Sequence, residues 1–281
     1  MKSKKKTIII AICVLMIALF CFWQNNVLEV THYTFSSSRV SARLDGYRIV
    51  QISDLHNKNF GRKQQHLINK IKELQPDMIV VTGDIVDSNH TNIDVAITFL
   101  EEAVNLAPCY YITGNHELWL DDTLYEKLIN QIKNTGTTIL DNEVVEINHN
   151  EKDDTVEDTT DFVMIGLDDG SLLGNTLHEL SKDINTQKFV LLLAHEPQNM
   201  SFYSKENVDL ILSGHAHGGQ FRLPGIGGMI APDQGLFPEY TEGLHVKNDV
   251  SMIISRGLGN SIIPLRILNR PEIVCVELEH E

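Results

Sequence analysis

The chain has 281 residues, 42% of them apolar, and a formal net charge of −15. That length gives room for one large domain or two small ones with an ample core. The balance of 38 acidic to 23 basic residues argues against a general nucleic-acid binder, which needs a basic footprint.

In chain order, four lysines in Met1–Lys6 precede Ile8–Trp23, a run with no polar side chain beyond cysteine. As a helix this run would span roughly 24 Å, slightly under a ~30 Å hydrocarbon core, with Trp23 suited to the interface. A cleaved signal peptide is the competing reading, but no small-x-small cleavage site follows in Gln24-Asn25-Asn26-Val27-Leu28. An uncleaved signal anchor is favoured. Lysines before the span and none just after it place the N-terminus in the cytoplasm and the remainder outside.

Residues 27–43 read as a polar connector with one strand, Leu28–Thr34. Strands at Arg48–Ser53, Met78–Thr82 and Tyr110–Thr113 then alternate with helical periods at Gln64–Leu74, Ile93–Leu106 and Asp121–Lys133, the last capped by Asp121 or Asp122. Thr137–Leu140 and Val144–Ile147 suggest a hairpin across Asp141-Asn142. Glu151–Asp161 carries six acids and one lysine without the spacing of a calcium loop, so a solvated hairpin tip is expected. Strands follow at Phe162–Leu167, Phe189–Leu193, Val208–Leu212, Phe221–Leu223, Val250–Ser255 and Glu272–Leu278, with a helix at Thr176–Ile184. The alternation predicts an α/β fold of two mixed β-sheets packed face to face with helices outside, an α/β/β/α sandwich over residues 44–281, preceded by one transmembrane helix within 1–26. Cys109 and Cys275 fall in apparent strands, where a small buried hydrophobe is the ordinary role. A disulfide between them stays open.

The apolar strands end in a series of polar residues: Asp54-Leu55-His56, Gly83-Asp84, Gly114-Asn115-His116-Glu117, Ala194-His195 and Gly214-His215-Ala216-His217-Gly218-Gly219-Gln220. Residues at i and i+2 in extended backbone project to one side, and the carboxyl edge of an open α/β sheet is where sites form. Any single fragment is ordinary, since polar groups at strand ends commonly cap loops.

Five fragments in this order resemble the calcineurin-like metallophosphoesterase family. The Gly-His-Ala-His-Gly-Gly-Gln form and Leu265-Arg-Ile-Leu-Asn-Arg-Pro-Glu272 resemble its bacterial membrane-anchored phosphodiesterase branch. The resemblance implies a hydrolase in which two divalent metal ions hold a bridging hydroxide that attacks a phosphate ester. It implies that Asp84 bridges the ions, with Asp54, His56 and His217 completing one site and Asn115, His195 and His215 the other. Carboxylate, amide and imidazole ligands without thiolate suit Mn, Fe or Zn better than Ca or Mg. Two such ions would also make a locally cationic site for an anionic substrate within an acidic protein.

By the same resemblance His116 is catalytic, stabilising the transition state or protonating the leaving oxygen. Asp87 pairs with it and keeps it protonated and oriented, although a plain turn aspartate fits Asp87 nearly as well. Family phosphoprotein phosphatases carry an arginine after that aspartate. Here Ser88 stands there, which argues against protein dephosphorylation and leaves the phosphate clamp unassigned. Glu117 reads as a helix-start acid. The glycine-rich stretch Pro224–Val246, with Phe237, Tyr240 and His245, is a candidate substrate rim or a packed surface loop. A membrane span suggests a phosphate ester linked to a lipid or a cell-wall polymer. A phosphomonoesterase, or a tethered metal-binding protein without activity, are the alternatives.

Overall fold

The computed structural model describes residues 2–148, 160–171, 175–261 and 263–281. Helix α1 (Lys2–Asn26) leads into β1 (Glu29–Ser37), β2 (Arg48–Ile52), α2 (Gln65–Leu74), β3 (Met78–Thr82), α3 (Ile93–Ala103), β4 (Cys109–Ile112), α4 (Asn115–Leu118), α5 (Asp122–Asn134), β5 (Thr138–Ile139) and β6 (Glu143–Ile147). Next come β7 (Phe162–Gly166), α6 (Thr176–Ser181), β8 (Val190–Leu193), α7 (Met200–Tyr203) and β9 (Leu210–Ser213). Two small ribbons pair β10 (Arg222–Leu223) with β11 (Gly227–Gly228), and β12 (Ile230–Ala231) with β13 (Gly235–Leu236). The chain closes with β14 (Gly243–Lys247), β15 (Val250–Ile254) and β16 (Glu272–His280).

Two six-stranded sheets result, ordered β1-β16-β2-β3-β4-β5 and β14-β15-β9-β8-β7-β6. Both mix parallel and antiparallel pairs, as expected. The central strands are mostly apolar because both faces are covered, and their two-residue period sorts side chains between two cores. In β3, Met78 and Val80 face the opposite sheet with Ile112, Leu191, Leu212 and Val276, whereas Ile79 and Val81 pack on the helical side with Leu67, Phe99 and Leu128. A third core lies on the far face of the second sheet, with Leu192, Ile211, Met200 and Tyr203. The α/β/β/α sandwich is therefore observed.

Three expectations are corrected. Thr137–Leu140 and Val144–Ile147 do not form a hairpin: β5 runs parallel to β4 in the first sheet, and β6 pairs antiparallel with β7 in the second. The Asp141 carboxylate accepts the backbone and hydroxyl of Thr113 at 3.0 and 3.1 Å, tying the turn to the first sheet while the chain crosses over. The strand placed in the connector is longer than expected and pairs in parallel with β16 from Glu29↔Glu272 to Ser37↔His280, so this stretch is built into the first sheet. The helix expected at Thr176–Ile184 ends at Ser181. The α5 cap is settled as Asp121, which accepts from Thr123 and Leu124, both at 3.1 Å. Cys109 and Cys275 are buried and unpaired. Most of the acidic tip, Glu151–Asp161, lies outside the described residues.

Among the described residues one helix, α1, is long and apolar enough to cross a membrane, and its side chains are largely uncovered by the rest of the chain.

Candidate metal centre

Parallel register brings the strand ends level. Ile52 lies beside Val81 and Thr82 beside Ile112, so Asp54, Asp84 and Asn115 leave the first sheet at one edge. Leu193 lies beside Leu212 in the second sheet, which places His195 and His215 at its matching edge. The two edges are joined directly: Gln51 Nε2 donates to Ser213 O at 2.8 Å, and His195 Nδ1 donates to Thr82 O at 2.7 Å. Asp54 closes the joint by accepting His215 N through both carboxylate oxygens, at 3.0 and 3.1 Å.

The backbone at this joint is strained. Asp54, His56, Asp84, His215 and His217 all have φ between 43° and 66°, a region costly for residues with a Cβ and characteristic of functional sites. Close approach fixes Gly214 as well, since a Cβ there would lie 1.9 Å from Ser53 Oγ and 2.5 Å from Asp54 Oδ2.

All seven residues expected as ligands are buried and converge in two clusters that share one carboxylate. Asp84 Oδ2 lies 3.5 Å from His56 Nε2 and 3.3 Å from His195 Nε2. On one side His56 Nε2 stands 3.2 Å from His217 Nε2, which is 3.6 Å from Asp54 Oδ1. On the other, Asn115 Oδ1 lies 3.1 Å from His195 Nε2 and 2.9 Å from His215 Nδ1. The Thr82 carbonyl accepts from His195 Nδ1 and so directs Nε2 inward, where its lone pair becomes available once the proton on that nitrogen is displaced.

The electrostatics fit a cation. Burial, reinforced by neighbouring histidines, pulls His56 and His215 down to about 4 and His217 well below the usual range. Burial raises Asp54 to about 6. Burial also opposes charge on Asp84 and His195, but their mutual attraction prevails, holding the carboxylate well below and the imidazole well above their ordinary values. Imidazole nitrogens, three of them held neutral by burial, and carboxylate oxygens this close, buried and aimed at common points, are the donor set that a pair of divalent ions requires. The residues present fit the group.

His116 lies in the same pocket, its ring 4.5 Å from that of His56. The expected pairing with Asp87 is not the one found. Asp87 is near, but its Oδ1 accepts Asn89 N at 2.8 Å and His90 N at 3.2 Å, the bonds of a turn aspartate. His116 Nδ1 instead accepts Ser88 N at 3.1 Å, with Ser88 Oγ also at 3.1 Å, and Nε2 meets Ser261 Oγ at 3.2 Å. Glu117 does more than begin a helix. Its carboxylate accepts three amides, from Asp84 at 2.8 Å, Gly114 at 2.7 Å and Val86 at 3.2 Å.

Ser88, Ser261 and Asp233 were missed as site neighbours. Asp233 Oδ2 lies 3.1 Å from His215 Nε2, and its place within the glycine-rich stretch was the available signal. That stretch does border the site: Ile230, Ala231 and Pro232 line a cavity of about 270 Å³ with His217, Ser261 and Ile263. Phe237 is exposed, while Tyr240 packs on His245 at 5.1 Å.

A two-sheet sandwich whose strand ends gather histidines and aspartates around one carboxylate defines a dinuclear metallohydrolase architecture. The chain belongs to the calcineurin-like phosphoesterase family, whose sequence pattern it matches over residues 47–219. It is similar to the uncharacterized metallophosphoesterase YkuE of Bacillus subtilis (strain 168), with 34% identity over 268 residues, 92% of this chain and 88% of that one. Similarity to phosphodiesterase YaeI of Escherichia coli (strain K12) is 28% over 235 residues, 83% of this chain and 82% of the relative. A transmembrane protein with metallophosphoesterase domain from Danio rerio is 29% identical over 250 residues, 84% of this chain and 54% of the longer protein.

Proposed function

We propose that this chain is a metal-dependent phosphodiesterase held at the outer face of a membrane. The observation that carries the reading is the position of Asp84, whose Oδ2 stands within 3.5 Å of imidazoles from both clusters. Asp54, His56, Asp84 and His217 would hold one divalent ion, and Asp84, Asn115, His195 and His215 the other. When bound, the ions supply positive charge for an anionic ester and acidify water for attack. His116 donates from Nε2 toward the departing oxygen; the amide of Ser88 bonded to Nδ1 supports that tautomer. Asp87 shapes the turn that carries Ser88, and so acts on His116 indirectly.

The choice of a diester rests on room. A diester has two organic arms, and the cavity lined by Ile230, Ala231, Pro232 and Ile263 beside His217 can take the second. The name of the YaeI relative agrees. Residues 1–26 serve as anchor and the remainder as the phosphoesterase body, β1 included. The lysines in the first turns of α1, ahead of its apolar run, favour a cytoplasmic N-terminus, and the substrate is then a phosphate ester linked to lipid or cell-wall polymer.

The test uses the full chain in detergent micelles with Mn²⁺, offered bis(p-nitrophenyl) phosphate and p-nitrophenyl phosphate. Diester hydrolysis that is lost on chelation and in Asp84→Ala is expected. Faster cleavage of the monoester overturns the diesterase choice, and no cleavage of either overturns the enzyme.

A further inference from the structure

The end of α1 is bonded into the floor of the metal cleft. Gln24 is buried, and its Oε1 accepts Asn269 N at 3.1 Å. Asn25 treats Arg266 as a paired strand would: its Oδ1 accepts Arg266 N at 2.9 Å and its Nδ2 donates to Arg266 O at 3.3 Å. The same Oδ1 accepts Asn260 Nδ2 at 3.2 Å, and Lys58 Nζ donates to the Asn25 carbonyl.

Arg266 is itself unusual. It is the largest fully buried side chain among the described residues, and burial lowers its guanidinium to about 10, which still leaves it charged at neutral pH. No carboxylate among the described residues lies within ion-pair distance of it. A buried cation so placed is costly unless its donors are all used. They go to the loop before it: Nη1 to Arg256 O at 2.8 Å, and Nε to Gly259 O at 3.1 Å and Asn260 Oδ1 at 3.0 Å. Nη2 also donates to Gly259 O and reaches within 3.4 Å of His217 Nδ1.

That loop presses on the first cluster. A Cβ on Gly257 would lie 2.7 Å from Asp54 Cβ, and one on Gly259 would lie 2.3 Å from Leu55 O and 2.8 Å from His56 Cβ. Gly259 N donates to Asp54 O at 2.6 Å. A continuous chain of direct contacts therefore runs from Asn25 through Arg266 and Gly259 to Asp54, His56 and His217.

We propose that Asn25, in the last turn of α1, is a positioning residue that acts through Arg266 on the Asp54–His56–His217 cluster. This rests on reading that cluster as a metal site and α1 as uncleaved. The helix is then more than a tether, and a body released by cutting behind Asn26 would bind its metals poorly.

The full chain in lipid nanodiscs is titrated with Mn²⁺ by electron paramagnetic resonance, and amide exchange is followed at residues 256–266, with β8 as internal control for folding. In Asn25→Ala, one of the two Mn²⁺ affinities falls roughly tenfold or more and exchange at 256–266 rises while β8 stays protected. Asn25→Asp, which keeps the acceptor for Arg266 N, recovers most of the affinity. Asn26→Ala, whose side chain among the described residues bonds only to Phe22 O at 2.8 Å, matches the parent chain. Unchanged Mn²⁺ binding and exchange in Asn25→Ala overturns the proposal. If the parent chain binds no Mn²⁺, the metal reading fails instead, and unchanged exchange at 256–266 in Asn25→Ala then also overturns the coupling.

Discussion

Asp84 and Glu117 are locked back to back: Glu117 Oε2 accepts the Asp84 amide at 2.8 Å, while Asp84 Oδ1 accepts the amide of His116 at 2.9 Å. Burial first, and then the Asp84 charge, raise Glu117 from 4.5 to about 8. The folded chain holds this proton more tightly than the unfolded one, so between pH 4.5 and about 8 the unfolded state has released it first and stability falls as pH rises. Chemical denaturation of the metal-free protein across that window is expected to show the decline, and Glu117→Gln to flatten it. A parallel decline in the variant would refute the assignment.

Cation binding has its own pH dependence, located at His195. Although burial alone would lower that imidazole, Asp84 chiefly, then Asp54 and Asp169, hold it well above its ordinary value. An entering ion must displace the proton, so affinity should rise with pH. Calorimetry in buffers of different ionisation enthalpy should register proton release that disappears in His195→Asn. No release in the parent chain near pH 7 would show that the imidazole was already neutral.

Gly214 tests how tightly the sheet edges are joined. A methyl group there meets Ser53 Oγ at 1.9 Å and Asp54 Oδ2 at 2.5 Å. Gly214→Ala should lower stability by about 1–3 kcal/mol and weaken metal binding because Asp54 must move. Adding Ser53→Ala should recover part of the melting temperature but little of the metal affinity, since the Asp54 clash persists.

The surroundings of His116 separate two accounts of its orientation. His116→Ala should lower kcat by about 10²–10⁴-fold with metal content intact. Asp87→Asn should leave kcat within a few-fold, its Oδ1 being engaged by Asn89 and His90, whereas Ser88→Ala removes an oxygen 3.1 Å from His116 Nδ1 and should cost more. The reverse ranking in steady-state kinetics would restore the direct pairing of Asp87 with His116.

The candidate ligands could be located in the sequence because each follows a buried strand by a few residues, and parallel register brings those strand ends level. The Asn25–Arg266 bond could not, because its partners are 241 residues apart, and the stretch Leu265–Glu272, though noticed, gives no sign of what Arg266 meets. Asp141-Asn142 misled for a related reason. Its composition is that of a hairpin turn, but the capture of Asp141 by Thr113 divides the flanking strands between sheets. Ser88 was noticed only as a missing arginine, since its bond to His116 depends on how two loops fold together.

The insertion of β16 between β1 and β2 has a consequence for biogenesis. Nine residues of β1 face a neighbour that emerges from the ribosome only with residues 272–280. Until then the first sheet lacks an interior strand, and such long-range pairing is slow to form. Closure of the first sheet is thus postponed until residues 272–280 are available, long after the strand ends that carry Asp54, Asp84 and Asn115 have been made.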